Sequence, residues 1–390
     1  MKFCPNCGSK LSEESKFCPN CGYKISDTTG KFEKVSNNFQ RAGHSKDHKA
    51  KNKTKIKLNY SEMFSELFKH HTTEDAEKIF AWGVRRPTLD DINVNVIHPW
   101  VFLRIFSCLF LACAVFLFTM NSSQIGIGGF AFFSALLMPF SIMVFFYEVN
   151  ITHEVSFYNM LKSLLLSGIL SGIIVLVIVS ITSQSQTYTS MITGGMTSFD
   201  ALMQAALPEE IAKSAVVAYM IVKIKPKYLL SGIAIGIAVG AGFAILETAG
   251  YITSISLSVM DKYGSQAQGY LGMFELQTAV TRGLSAFGGH VSWAAIEAGG
   301  IMLAKKQKEF NISNIFSTSF LVAIISTIIL HTAWDTSFIA GISFTGGLAS
   351  NVKMYVCAFL AFGIVLYLTK KGIIELIDLK RINVSQRSSN

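Results

Sequence analysis

Charged residues are scarce in this sequence: Asp, Glu, Lys and Arg make up 15% of its 390 residues, whereas 51% are hydrophobic. Soluble domains are about 25% charged, so this composition argues against a soluble protein. The printed sequence also lacks an apolar run before residue 100, which argues against a cleavable signal peptide. The first hydrophobic segment is therefore expected to remain in the bilayer as an uncleaved anchor.

Cysteines are few as well, and four of the seven occur in two C-P-N-C-G repeats, as Cys4, Cys7, Cys18 and Cys21. Two CxxC knuckles at short spacing are typical of a Cys₄ zinc ribbon, in which four thiolates bind one structural zinc ion. Two disulfides are the alternative, which a reducing cytoplasm disfavours. Because four Cys ligands leave no open position for catalysis, the ribbon is expected to bind a cytoplasmic protein partner.

Long apolar segments follow residue 100, and about 20 apolar residues suffice to cross a bilayer. The sequence therefore predicts an all-α polytopic membrane protein with about eight transmembrane helices, plus the small N-terminal zinc ribbon. The predicted spans lie near 100–120, 126–147, 161–183, 201–223, 228–252, 277–304, 314–338 and 352–369. Basic residues follow the fourth, sixth and eighth spans. By the positive-inside rule these ends and both termini are expected to be cytoplasmic, and the predicted loop 253–276 to lie outside.

Composition also predicts the domain boundaries. Residues 1–25 form the ribbon, 26–60 a basic flexible linker and 61–98 a cytoplasmic juxtamembrane amphipathic segment. Residues 99–370 form the transmembrane domain, and 371–390 a cytoplasmic tail. The basic run 41–57 of the linker is expected to be solvated, and contact with the anionic headgroups of the lipid bilayer is the alternative. No aromatic residues alternate with its basic residues, which argues against binding of nucleic acid.

Ionisable residues interrupt the predicted spans four to seven, where a charge costs roughly 2.5–3.5 kcal/mol and usually faces a functional polar cavity. They are Glu209, Glu210, Lys213, Glu247, Arg282, His290, Glu297, His331 and Asp335. Lys213 is spaced to pair with either adjacent glutamate on a helix. The two glutamates point about 100° apart, so only one is expected to face a reacting centre.

Other acidic residues and histidines have simpler interpretations. Glu297 fits no motif and is interpreted as structural. Glu148, His153 and Glu154 are predicted to lie in a surface loop.

Four motifs occur in order on successive predicted spans: E-E-x-x-K at 209–213, F-x-x-x-E at 243–247, His290 after Arg282, and H-x-x-x-D at 331–335. Together they resemble the PrsW family of intramembrane proteases, which is related to the type II CAAX prenyl proteases. The resemblance covers about residues 200–340. Glu247 stands where the CAAX branch has His, which agrees with the PrsW branch, and Thr248 stands where Asn is expected.

The resemblance implies an integral-membrane endopeptidase of a bacterial plasma membrane. Its substrates would be membrane-anchored proteins, such as an anti-sigma factor or another single-span regulator in a stress response. The implied catalytic residues are Glu209, Glu210, Glu247, His290, His331 and Asp335. Glu209 or Glu210 would be the base, and Glu247 would share or orient the water. The histidines would stabilise the oxyanion and protonate the leaving amine, with Asp335 positioning one imidazole.

Two mechanisms remain open from the sequence. A metal-free glutamate mechanism is favoured by what the related proteases imply. In the other, Glu247, His290 and His331 bind a catalytic zinc ion beside Glu209 or Glu210 as the base, although the sequence lacks H-E-x-x-H. A proton-coupled transporter is the alternative function, against which the sequence shows no inverted repeat. A non-catalytic scaffold is the third possibility and would leave the intramembrane charges unexplained.

Overall fold

The computed structural model describes residues 2–3, 10–11, 63–92, 98–119, 124–181, 197–339, 342–343 and 347–388. The chain divides into two compact units, Met1–Thr54 and Lys55–Asn390. In the first unit, strands β1 (Lys2–Phe3) and β2 (Lys10–Leu11) pair antiparallel. The cysteines of the predicted ribbon and the predicted linker 26–60 lie outside the described residues.

The described part of the second unit is almost entirely helical, as the composition predicted. A short helix α1 (Thr73–Phe80) lies in the juxtamembrane segment, where Thr72 caps its first turn. The longer helices are α2 (Val101–Thr119), α3 (Gln124–Val149), α4 (Phe157–Ile181), α5 (Leu207–Ile224), α6 (Leu229–Tyr263), α7 (Gln268–Ser285), α8 (His290–Lys305), α9 (Thr318–Asp335) and α10 (Gly347–Ser388). Two short strands, β3 (Phe338–Ile339) and β4 (Ile342–Ser343), pair antiparallel before α10.

Six of the described helices are long and apolar enough to cross a membrane: α2, α3, α4, α6, α9 and α10. The two remaining predicted spans correspond to α5 and to the α7–α8 region, which carry several of the ionisable residues. The predicted span 277–304 is not one helix, because the 3₁₀ turn Ala286–Gly288 separates α7 from α8. His290 therefore becomes the first residue of α8.

Two helices run further than predicted. Helix α6 continues from its predicted end at residue 252 to Tyr263, and α7 begins at Gln268. The predicted outer loop 253–276 is therefore mostly helical. Helix α10 continues to Ser388, through most of the segment predicted as a tail.

Helix α6 is the most deeply buried of the spanning helices, and glycines set its distance to its neighbours. A Cβ atom at Gly240 would collide with the carbonyl oxygen of His290 on α8. A Cβ at Gly242 would collide with the carbonyl oxygen of Leu164 on α4. Small residues allow such close helix packing, so the glycines of α6 fix where α8 begins and where His290 lies.

The connection between α3 and α4 is buried, and the prediction of a surface loop there was wrong. The Glu148 carboxylate accepts hydrogen bonds of 2.8 to 2.9 Å from backbone N–H groups at the start of α2. Glu154 accepts two from the backbone N–H of Lys227, at 2.9 and 3.0 Å. The His153 ring packs on Trp82, with centroids 3.8 Å apart, and burial lowers the pKa of His153 to about 4. The two carboxylates satisfy backbone donors near helix starts, which sequence alone does not reveal.

Candidate active site

All six residues predicted to be catalytic come together between α5, α6, α8 and α9. Glu209 and Glu210 lie in the first turn of α5, and Glu247 lies near the middle of α6. His290 begins α8, while His331 and Asp335 occupy the last turns of α9. The order of the motifs along the chain therefore predicted a cluster that the fold assembles from four helices.

The cluster lies far from the basic helix ends. Glu209 precedes the end of α5 by 15 residues, and His290 precedes Lys305 by 15. Glu247 follows Leu229 by 18 residues. At about 1.5 Å per residue, these separations are about 22–27 Å, compared with a hydrocarbon core of about 30 Å. The three helices thus place the site at a similar distance from their basic ends, and close to the opposite ends of α5 and α8.

His331 has carboxylates at both ring nitrogens. Its Nδ1 lies 2.6 Å from Glu210 Oε1, and its Nε2 lies 3.1 Å from Asp335 Oδ2. Glu209 Oε2 lies 3.7 Å from the same Nε2. The adjacent glutamates therefore contact opposite edges of one imidazole, as their different directions on the helix require. With its side chain 3% exposed, His331 is held in one orientation by these contacts and by the stacked Trp293 ring.

His290 is oriented in a similar way. Its Nε2 lies 2.7 Å from Glu247 Oε2, and its Nδ1 accepts a hydrogen bond from Lys213 Nζ at 2.6 Å. The Lys213 ammonium also donates to Glu210 Oε1, at 2.6 Å. Both side chains of the Lys213–Glu210 ion pair are completely buried. Lys213 thereby links Glu210 of α5 to His290 of α8.

Arg282 on α7 holds Glu247. Its guanidinium group donates to the Glu247 carboxylate through Nη2 and to the Thr248 hydroxyl through Nε, at 3.1 Å. Thr248, the departure from the family pattern, thus accepts a hydrogen bond within the site. Because Arg282 and His290 both bond to it, Glu247 is positioned to orient His290.

Glu209 differs from the other carboxylates of the cluster. Its Oε2 is buried and has no hydrogen-bond partner among the described residues, yet it faces both histidines, with His290 Nδ1 at 4.0 Å. One potential metal-ligand atom from each of Glu209, His290 and His331 lies within 4.8 Å of the other two. This set differs from the zinc set expected from the sequence, because Glu209 takes the place of Glu247. A buried acceptor without a partner is costly, so it points to a missing donor or cation.

Two further residues belong to the surroundings of the site. Trp293 stacks on His331, with centroids 4.4 Å apart, and packs edge-on against His290. No sequence motif includes Trp293, although its position three residues after His290 puts it on the same helix face. Glu297 is completely buried and accepts a hydrogen bond of 3.0 Å from Thr327 on α9.

A small cavity of about 20 Å³ adjoins His290 and is lined in part by Thr248, Arg282, Trp293 and Trp334. A volume above about 10–15 Å³ can hold one water molecule when polar partners are present. The imidazole, the hydroxyl and the guanidinium groups are such partners. The site therefore has room for a single water beside one of its histidines.

Two protein-family models match parts of this sequence. The family model described as PrsW family intramembrane metalloprotease matches residues 158–366, which is 209 of the 390 residues. A zinc-ribbon domain model matches residues 3–25. No curated protein and no solved structure matches the chain. The larger match includes every residue of the cluster.

Proposed function

The chain belongs to the PrsW family of intramembrane metalloproteases and carries an N-terminal zinc-ribbon domain with its structural zinc, and from this premise we propose a reaction centre formed by Glu209, His290 and His331. As a membrane protease, the chain acts on a membrane protein substrate. We propose that it is an endopeptidase that cuts membrane-anchored proteins. The proposal is carried by the convergence of His290 and His331 on Glu209 Oε2, an atom that has no hydrogen-bond partner among the described residues.

The chemistry of these residues suits hydrolysis by water. A water molecule between Glu209 and the histidines gives its proton to Glu209 Oε2 as it attacks the scissile carbonyl. The Nε2–H of His331 leaves Asp335, stabilises the oxyanion and then protonates the leaving amine. The proton that Glu209 has taken passes to the same Nε2, which lies 3.7 Å from Glu209 Oε2, and this transfer restores both groups. Glu210 and Glu247 bond to ring nitrogens and fix the orientation of the imidazoles during these steps.

The same three residues fit a divalent cation, as the family description implies. Ligand atoms that share one zinc ion lie within about 4 Å of each other. Glu209 Oε2 lies 3.7 and 4.0 Å from nitrogens of His331 and His290, and all three ligand atoms lie within 4.8 Å of one another, so a small side-chain shift would complete the set. Glu210 and Glu247 resemble the carboxylates that orient metal-binding histidines in known sites. Lys213 would then donate to Glu210 alone. A bound ion would supply Lewis-acid polarisation of the carbonyl and the water.

Location and substrate class follow from the same reasoning. Its apolar helices and its family place the chain in a membrane. We propose a bacterial plasma membrane with the basic loops and both termini in the cytoplasm. A single-span regulator such as an anti-sigma factor is the proposed substrate. Cys4, Cys7, Cys18 and Cys21 are the proposed zinc ligands of the ribbon, which would bind a cytoplasmic partner.

The experiment that tests the proposal compares new protein N-termini in membranes of cells that express the wild type or Glu209→Gln at matched levels. We expect a small set of termini that Glu209→Gln and His331→Ala both abolish. The matched control is Glu74→Gln, which changes an exposed juxtamembrane carboxylate and should keep every terminus. Identical termini in the wild type and Glu209→Gln would contradict the proposal.

Metal content tests the cation independently of activity. Purified wild type should contain two zinc equivalents per chain, one in the ribbon and one in the membrane domain. Cys4→Ser should lose the first equivalent, and His331→Ala the second. One equivalent in the wild type that His331→Ala leaves in place would contradict a metal at this site and favour the metal-free glutamate mechanism.

A further inference from the structure

The reaction centre is buried, so a polypeptide must reach it through an opening. The side chains of Glu209, His290 and His331 are 13%, 9% and 3% exposed. A groove of about 480 Å³ opens on the surface between α6, α7 and α10. Arg282 lines both this groove and the small cavity beside His290. The Arg282 side chain therefore separates the groove from the cavity of the reaction centre.

The groove is built from one face of α7. Gln277, Thr278 and Thr281 line it at helical spacing and lead to Arg282, while Ser350 and Asn351 of α10 line the other side. The neighbouring face of α7 is apolar and exposed, with Leu276 40% and Val280 47% exposed. One helix thus presents uncharged hydrogen-bonding groups to the groove and an exposed apolar face beside it, which would face lipid when the chain is in a membrane.

Uncharged polar groups in this place suit an extended peptide. In an apolar environment each backbone N–H and C=O needs a partner, and a peptide unwound for hydrolysis has lost its helical bonds. The amide and hydroxyl groups of Gln277, Thr281 and Asn351 can donate and accept. Thr278 already donates to its own helix, at 2.8 Å, so it faces the groove as an acceptor.

Charge restricts what the groove can hold. Among the described residues that line the groove, Arg282 alone is charged, and the Glu247 carboxylate already balances its guanidinium group. A charged substrate residue in the groove would lose its hydration without gaining a partner, which is unfavourable.

We propose that the groove between α6, α7 and α10 binds an uncharged, extended segment of the substrate next to the scissile bond and leads it past Arg282 to the reaction centre. This inference rests on the proposed endopeptidase function. It assigns substrate binding to Gln277, Thr278, Thr281 and Asn351, none of which belongs to the family motifs.

The test fills the groove without touching the reaction centre. Thr278→Trp places a large side chain in the groove, and Val280→Trp places the same side chain on the lipid face of α7. Termini that depend on Glu209 should fall on the order of a hundredfold in Thr278→Trp, because the peptide is displaced from its reacting position. They should stay within about twofold of wild type in Val280→Trp. Unchanged termini in Thr278→Trp would overturn the inference and leave the endopeptidase in place.

A second measurement guards against misfolding of Thr278→Trp. A photo-crosslinking amino acid is placed at Gln277 or, as a control, at Leu276, both in the inactive Glu209→Gln protein. The protein that bears the Glu209-dependent termini should crosslink at position 277 and not at 276. Equal crosslinking at both positions, or crosslinking only at 276, would contradict the groove. If wild-type cells show no Glu209-dependent termini, the proposed function itself fails, and this inference fails with it.

Cleavage of altered substrates tests whether the groove excludes charge. Once the termini identify a substrate, Asp is placed at single positions on each side of the cut. At least one flanking position should lose about tenfold or more in cleavage with Asp and keep it with Asn, since the two differ mainly in charge. Equal cleavage of the Asp and Asn substrates at every position would overturn the uncharged-segment assignment.

Discussion

Lys213→Met should destabilise the protein strongly, and replacing Glu210 as well should restore part of the loss. Both side chains are completely buried, with Nζ and Oε1 2.6 Å apart. Removal of Lys213 leaves the buried Glu210 carboxylate with His331 as its remaining contact, and breaking a buried ion pair typically costs about 3–5 kcal/mol. Lys213 also lies over the rings of Phe243 and Trp293, at 4.9 and 5.1 Å, and such contacts contribute roughly 0.5–2 kcal/mol more.

The double variant Lys213→Met/Glu210→Gln removes both charges and keeps similar volumes. It should therefore unfold at a higher denaturant concentration than Lys213→Met alone. The assay is equilibrium unfolding of the detergent-solubilised proteins, followed by tryptophan fluorescence. Lys223→Met is the control, because Lys223 is an exposed residue near the end of the same helix and should change stability by less than about 0.5 kcal/mol.

Two results would refute this reasoning. One is a Lys213→Met protein as stable as the Lys223→Met control. The other is a double variant no more stable than Lys213→Met, which would mean that Glu210 is not left as an uncompensated charge.

Three other predictions concern residues around the site. Gly240→Ala should lower activity and reduce the free energy of unfolding by about 1–3 kcal/mol, because its Cβ would displace the start of α8. At Gly250 an added Cβ meets no atom within 4 Å, so Gly250→Ala should have no effect in the same unfolding and N-terminus assays. Lys353→Met should lower kcat more than it raises KM, since the buried Lys353 ammonium donates to the Trp334 carbonyl at 2.6 Å and to the Thr336 carbonyl and so positions the end of α9. Lys353→Arg should retain more activity, and an equal loss in both variants would argue against this positioning role. His153 has its pKa lowered to about 4, so its contribution to stability is complete above about pH 6.5 and is lost as the pH falls toward 4. Thermal unfolding of His153→Asn should depend less on pH across that window than the wild type, and parallel profiles would contradict the burial argument.

Much of the candidate site could be predicted because its residues are anomalous where they occur. Glu209, His290 and His331 lie in apolar segments, where an ionisable side chain has a high cost and therefore a function to explain it. The i,i+4 spacing of His331 and Asp335 also predicted their contact, which the structure places at 3.1 Å. Local spacing and hydropathy were sufficient for these features.

Other features depend on contacts between distant segments. Glu148 and Glu154 look like ordinary loop residues in the sequence, and only the fold brings backbone N–H groups of α2 and of Lys227 to them. The break before His290 depends on the packing of Gly288 against Ala358 of α10, where a Cβ would collide with the backbone. Neither partner is near in sequence, so no local pattern indicates these contacts.

The central claim is that Glu209, His290 and His331 hydrolyse a peptide bond directly. The most direct measurement reconstitutes the purified full chain in vesicles with the substrate that the N-terminus comparison identifies, and sequences the products. The wild type should cut the same bond as in cells. Glu209→Gln should not cut it, although it is folded and as stable as the wild type. Cleavage by Glu209→Gln at the wild-type rate, or no cleavage by the folded wild type, would contradict the claim.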